Sequence, residues 1–178
     1  MNIFYLHNDQ KLCAQAHVDK HCVKMILEYA QLLSTAHRVL DGTESVRLSK
    51  SGRKQKYWSL PDQRDTVLYS ATHINHPSAK WVRHGEQNYR WLFTLWCELM
   101  DEYTYRYGKI HSCERLMKHL SRPPKNIDME QSFSAPWRAM PDEFKVDDTM
   151  QSYRNYYNGA KTHMFSWKKR PTPDWIAK

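Results

Sequence analysis

A chain of 178 residues with 27 Lys and Arg against 19 Asp and Glu carries a net charge of +8, fits one domain and is long enough to bury a core. Five glycines and eight prolines exclude a low-complexity or repeat protein, and no apolar run approaches the ~18–20 residues of a bilayer span, so no membrane partner is expected. The opening MNIFYLHND lacks the plan of a signal peptide, and Cys13, Cys22, Cys97 and Cys113 show no CxxC spacing; both point to reduced thiols in a cytoplasm, and a monomer is expected.

In chain order, residues 2–6 (NIFYL) read as a short strand or an extended lead-in. Asn8 and Asp9 suit an N-cap, and helical periodicity then runs as one helix to about Leu40, closed by Asp41-Gly42. Residues 43–60 change character: Val46 and Leu48 precede a turn at Ser51-Gly52, and Lys56, Tyr57 and Trp58 follow, which predicts a basic hairpin. Pro61-Asp62 opens a helical piece reaching Ile74. Asn75-His76-Pro77 then starts a long helix to about Tyr107, with a break near Gly85 and a cap at Gly108. Residues 109–121 read as a short helix, and 122–145, with four prolines, as a long ordered loop. Asp147 or Asp148 caps a last helix bearing the stripe Met150, Tyr153, Tyr157, Ala160, Met164 and Trp167. Residues 168–178 form a basic, aromatic tail. The expected fold is mainly α: a single-domain helical bundle spanning 1–178, with the hairpin and tail appended.

The first helix poses the functional question. At about 100° per residue, His17, His21, Lys24, Glu28, Gln31, Thr35 and Arg38 share a narrow stripe, while apolar side chains fill more than half the circumference. Such a helix should be enclosed on several sides, with its polar stripe lining a slot. A solvent strip laced by i,i+4 pairs is the rival reading. On the functional reading, Lys24 and Glu28 form a reactive pair, Lys24 as an imine-forming amine and Glu28 as acid or base, with His17 and His21 beside them. His37 lies off the stripe and reads as a core histidine.

A second polar cluster, HINHPSAKWVR, adds His73 and His76 to the candidate catalytic set. Asn75 and Arg83 there suit an anion at a helix start, against the alternative of a plain cap and turn. No cofactor is expected. A metal held by His17, His21, His73 and His76 is an alternative that the HxxxH and HxxH spacings leave open, although no carboxylate or cysteine stands at a familiar ligand spacing beside them. The candidate nucleic-acid contacts are Arg47, Lys50, Arg53, Lys54 and Lys56 in the hairpin, Asn75, Arg83 and Arg154, and Lys168, Lys169, Arg170 and Trp175 in the tail. Cations interleaved with Trp and Tyr suit phosphates and stacked bases, and in the tail they equally suit docking onto the body.

The stretches KHCVKMILEYAQLLSTAHRVLDG, INHPSAKWVR, EYTYRYGKIH and SYRNYY, ahead of a WKKRPTPDW tail, resemble an uncharacterised family of tailed-phage and bacterial proteins over almost the whole chain. More distantly, their order is similar to that of the pyrimidine-dimer DNA glycosylases of T-even phages, the endonuclease V family. That resemblance implies a small, basic, helical, cofactor-free scaffold in the cytoplasm of a host cell. It also implies extrusion of a base, attack on the sugar by the α-amine of the N-terminal residue, and a glutamate on the first helix. Two positions depart from the pattern. Asn2 is large enough to keep Met1 in place, and Asp19, Lys20 and His21 stand where the glutamate is expected, with Glu28 further along.

These readings converge on DNA as the partner and on an enzyme acting on an extruded base with glycosylase/lyase-like chemistry. Two alternatives stay open. One is a transferase that hypermodifies pyrimidines in phage DNA, and the other is a non-catalytic nucleic-acid-binding protein.

Overall fold

The computed structural model describes residues 1–49 and 51–177. The fold is mainly α, a single domain with a small two-stranded sheet. Its elements are α1 (Gln10–Ala16), α2 (Asp19–Asp41), β1 (Thr43–Leu48), β2 (Lys54–Ser59), α3 (Arg64–Val67), α4 (Pro77–His84), α5 (Glu86–Tyr107), α6 (Met117–Leu120) and α7 (Thr149–Ala160). Among the described residues, no helix is long and apolar enough to cross a membrane.

The core is a wall of α2, α4 and α5, with α1 packed on α5. Trp81, Trp96, Leu92, Leu95 and Leu99 are buried there against Ile26, Leu32 and Leu33 of α2. Each such side chain removed from water contributes roughly 1.5–3 kcal/mol. Trp96 also donates its indole N–H to the Ile26 carbonyl at 2.9 Å, so the two long helices are held by a polar contact inside the apolar wall. Residues 32–38 of α2 are buried on every side, as the wide apolar arc predicts. Its first half is more open, and Val23 and Leu27 reach solvent.

The single helix expected from residue 9 to residue 40 is two helices. Asp9 caps α1 through its carboxylate, which accepts from the Leu12 N–H at 2.9 Å. The chain breaks at His17 and Val18, both extended, and α2 restarts at Asp19. The cause lies on another helix. Arg106, fully buried on α5, donates to the carbonyls of Gln15 and His17 and to the Asp19 carboxylate, each at 2.9 Å. Those carbonyls are thereby satisfied without a continuous helix.

The hairpin forms as expected, with β1 and β2 antiparallel and Thr43 opposite Ser59. Gly52 takes a left-handed conformation (φ +75) at its turn, where a side chain would be strained. After it, the helical piece expected to reach Ile74 stops at Val67. Buried Arg38 takes the carbonyls of Asp65, Leu68, Tyr69 and Trp58, which draws this segment onto α2 as extended chain. The break at Gly85 is real: it is extended, and a Cβ there would lie 2.8 Å from the Gln131 side chain. The loop 122–145 is pinned across that break, because Ser134 accepts from the Trp81 indole and donates its backbone N–H to the Asn88 side chain.

The last helix, α7, is capped by Asp148 and carries Tyr153 and Tyr157 against Phe4. The stripe beyond Ala160 leaves the α-helix for a 3-10 turn at Thr162–Met164. The tail is then docked on the body. Trp167 donates to the Ala16 carbonyl, Arg170 pairs with Glu102 at 2.8 Å, and the Trp175 carbonyl accepts from Asn158.

Candidate functional site

The site is built around the polar edge of α2 and the first residues of the chain. Ile3, Phe4, Tyr5 and Leu6 are buried as an extended strap. Phe4 donates its N–H to the Tyr29 hydroxyl at 3.2 Å, and the Leu6 carbonyl accepts two hydrogen bonds from Arg154. Tyr29 neighbours Glu28 in sequence, so this anchoring delivers Met1 to Glu28. The α-amine of Met1 lies 3.6 Å from Glu28 Oε2, and Lys24 Nζ lies 3.2 Å from Oε1. Glu28 is 15% exposed and Met1 6%, whereas Lys24 is 69% exposed. One carboxylate is thus shared by two amines, that of half-buried Met1 and that of a lysine in water.

The loop before α4 closes the second side. Thr35, two turns beyond Glu28 and on the same face of α2, accepts from the Thr72 N–H at 3.2 Å and donates to the Thr72 carbonyl. His73 follows with a left-handed backbone (φ +48), unusual for a residue with a side chain, and its Nδ1 meets the Thr72 hydroxyl at 2.7 Å. His76 is the N-cap of α4. Its Nδ1 accepts from the Ser78 N–H at 3.1 Å, which leaves the proton of the neutral ring on Nε2 as a donor. Burial first, then the charges of the Met1 amine and His73, push the His76 imidazole below its ordinary value, while Glu28 pulls it up. His76 therefore shares an electrostatic environment with the amine–carboxylate pair and is neutral at neutral pH.

Of the six side chains the sequence points to as catalytic, Lys24 and Glu28 pair directly, and His76 lies within electrostatic reach of Glu28 and of its neighbour His73. His17 and His21 are buried in the core, with His21 in electrostatic reach of Lys24. His17 sits in the break between α1 and α2, fully buried. It donates from Nδ1 to the Cys13 carbonyl at 2.7 Å and accepts at Nε2 from Tyr29 at 3.0 Å. Burial pushes it down to about 4. His21 stacks on Phe4 at 4.3 Å and bonds Tyr157 at 2.6 Å, and burial pushes it to about 3. Both are neutral spacers in the core, and neither converges with His73 and His76 on a common point for a metal. Among the described residues, no three His, Cys, Asp or Glu side chains gather closely enough to hold an ion. His37 is a core residue, bonded to Tyr89 at 2.8 Å.

The candidate phosphate contacts divide in the same way. Arg53 and Lys54 stand in solvent at the hairpin end, Lys56 pairs with Glu44 at 2.7 Å, and the Arg47 guanidinium lies 3.3 Å from the centre of the Tyr57 ring. Lys50 lies outside the described residues. Asn75 is exposed beside His76. Arg83 donates to the Ile74 carbonyl at 2.7 Å and so braces the histidine loop from beneath; its Nη1 is buried without a partner. Arg154 is committed to the Leu6 carbonyl and lies over the Trp175 ring. In the tail, Arg170 is held by Glu102, Lys169 donates to the Tyr105 carbonyl, Lys168 lies over the Tyr107 ring, and Trp175 packs on Tyr157. The tail cations thus hold the tail to the body.

Sequence reasoning misses the Met1 amine, because it turns on whether Met1 is removed; the amine of Met1 itself reaches the carboxylate. It also misses Arg38, placed on the polar stripe by its angle yet buried as the organiser of the hairpin base. Met1 has one available signal, the resemblance itself. Compared with protein-family models, curated proteins and solved structures, the chain matches none.

Proposed function

We propose that the protein is a DNA-binding enzyme acting on a base extruded from the duplex, with glycosylase/lyase-like chemistry at the Met1–Glu28 centre. The observation that carries this reading is the 3.6 Å approach of an α-amine to an enclosed carboxylate whose other oxygen is held by a lysine. An amine nucleophile must shed a proton as it attacks, and a carboxylate at that distance is placed to take it. In the reaction, the amine nitrogen bonds to C1′ of the target sugar. The N-glycosidic bond breaks, and its electron pair leaves with the base, which is protonated. Glu28 takes one proton from the Met1 ammonium and gives it to the departing base, then takes a second from the same nitrogen and gives it to O4′ as the sugar ring opens, leaving a protonated imine between the chain and C1′. Met1 is held beside the carboxylate by the buried strap of residues 3–6, whereas the Lys24 side chain stands 69% exposed, which favours Met1 over Lys24 as nucleophile. Lys24 then holds the carboxylate in place, and the neutral His76 offers an N–H donor to the oxygen or base that gains charge.

A reacting atom at a sugar inside a duplex is out of reach unless the nucleotide is swung out. The exposed hairpin cations Arg53 and Lys54 suit phosphate contacts, which position the strand without reading it. Borohydride trapping on duplexes carrying damaged or modified bases tests the reading. Wild type is expected to give a covalent adduct, and Glu28→Gln should lower its rate at least ~100-fold, the usual scale for a general acid–base residue. Lys24→Met should keep the adduct, while acetylation of the α-amine should remove it. The reverse pattern would make Lys24 the nucleophile, and no adduct on any such substrate would overturn the reading.

A further inference from the structure

On the far side of α2 lies a cleft of about 570 Å³, walled by the start of α3 and by residues 118–125. His37, on its floor, is nine residues from Glu28, which places it half a turn round the helix and roughly 13 Å along it. The cleft is therefore separate from the amine–carboxylate centre. Its floor is rigid and carries one excess negative charge, because Arg64 faces two carboxylates. Arg64 donates to Asp41 at 2.7 Å, to His37 Nδ1 at 2.8 Å and to both oxygens of Asp62. His37 donates in turn to Tyr89, which donates to the Leu120 carbonyl at 2.8 Å.

The rim is different. Lys118, Arg122 and Lys125 line the cleft and are exposed, and among the described residues none forms an ion pair. Arg64 is outnumbered by its two carboxylates, so the positive excess belongs to these three side chains. The backbone of Lys125 is fixed: Asp41 accepts from the N–H groups of Lys125 and Asn126 at 3.1 Å. Three exposed cations, which outweigh the one excess negative charge of the floor by two, match a group with two negative charges and several acceptor oxygens. The volume is far larger than a phosphate alone and suits a ligand of nucleotide size.

We propose that this cleft is a second ligand site, which binds a phosphate group carried on a nucleotide-sized body through Lys118, Arg122 and Lys125. The phosphate comes either from a free nucleotide or from a nucleic-acid strand lying across the cleft. The site stands whether or not the Met1–Glu28 centre is catalytic.

Titration calorimetry on the full chain at low salt tests it, with thymidine 5′-monophosphate, thymidine and a short DNA duplex as probes. The reference variant is Lys118→Gln/Arg122→Gln/Lys125→Gln, whose changes are all at exposed positions. Binding of the monophosphate but not the nucleoside, weakened at least tenfold in the triple variant, is the result expected for a free nucleotide. Duplex binding that weakens at least tenfold in the triple variant, with no monophosphate binding, is the result expected for a strand. The proposal is overturned if no phosphate-bearing probe binds, or if binding is equal in wild type and the triple variant.

Discussion

At the scale of single residues, two arginines explain more of the molecule than any of its histidines. Arg38 and Arg106 are both buried, and each replaces a run of missing backbone partners with its own donors. Arg106 also stands between the carboxylates of Glu102 and Asp19. Removing one partner of a buried ion pair leaves charge without compensation, which usually costs about 3–5 kcal/mol. Arg106→Met is therefore expected to destabilise the fold by about that amount, read as a lower urea midpoint with an unchanged m-value. Neither role is legible in the sequence. Helical angle places Arg38 on the polar stripe, because angle describes the helix alone and says nothing of the loop that folds over it. Glu28 is legible for the same reason in reverse: its partner Lys24 is on its own helix face.

At the scale of elements, both strands and the turn of the hairpin are legible, since Ser51-Gly52 and alternating side chains are local signals. Its proposed functional role has a direct test. Arg53→Gln and Lys54→Gln should each weaken duplex binding by a similar factor on every sequence. Each should also reduce the slope of log affinity against log salt by about 1, the change expected when a single phosphate-binding cation is neutralised. Both positions are exposed, so stability should change by less than about 0.5 kcal/mol. Where local signals compete with long-range ones, the sequence misleads. Residues 9–40 have continuous helical periodicity, yet the break at His17 is imposed from α5, some 89 residues away. The segment after Val67 has enough apolar residues for a helix, yet Arg38 takes its carbonyls. The C-terminal cations read equally as a nucleic-acid clamp or as a docking device, and the partners of the docking contacts, Glu102, Tyr105 and Tyr107, lie some 60 residues away on α5.

At the scale of the whole molecule, the buried histidines set a pH limit. His17, His21 and His37 are held neutral, pushed by burial to about 4, about 3 and about 4. In the unfolded chain each returns to roughly 6.5. Between those values the unfolded state binds more protons, so stability is complete above about pH 6.5 and falls as pH drops. Each histidine contributes a slope of up to about 1.4 kcal/mol per pH unit, on the order of 4 for the three together. Urea unfolding at pH 7, 6 and 5 should show a steep fall. A flat profile would mean that these rings are solvated in the native state. Asp62, held to about 2 by Arg64, adds its own destabilisation only at lower pH. The core histidine at 37 is legible from its place on the apolar arc. His17 and His21 are not, because their satisfying partners, Tyr29 and Tyr157, approach from directions the sequence does not encode.

The junction between α1 and α2 has a kinetic side as well. Most of what makes α2 a helix is local, but its rotation about its own axis is locked where Arg106 grips Gln15, His17 and Asp19. A contact spanning 89 residues carries a large loop-closure cost and forms late in folding. Arg106→Met should then speed unfolding more than it slows refolding, the signature of an interaction absent from the transition state. The direction in which Glu28 points is thereby among the last things the folding chain decides.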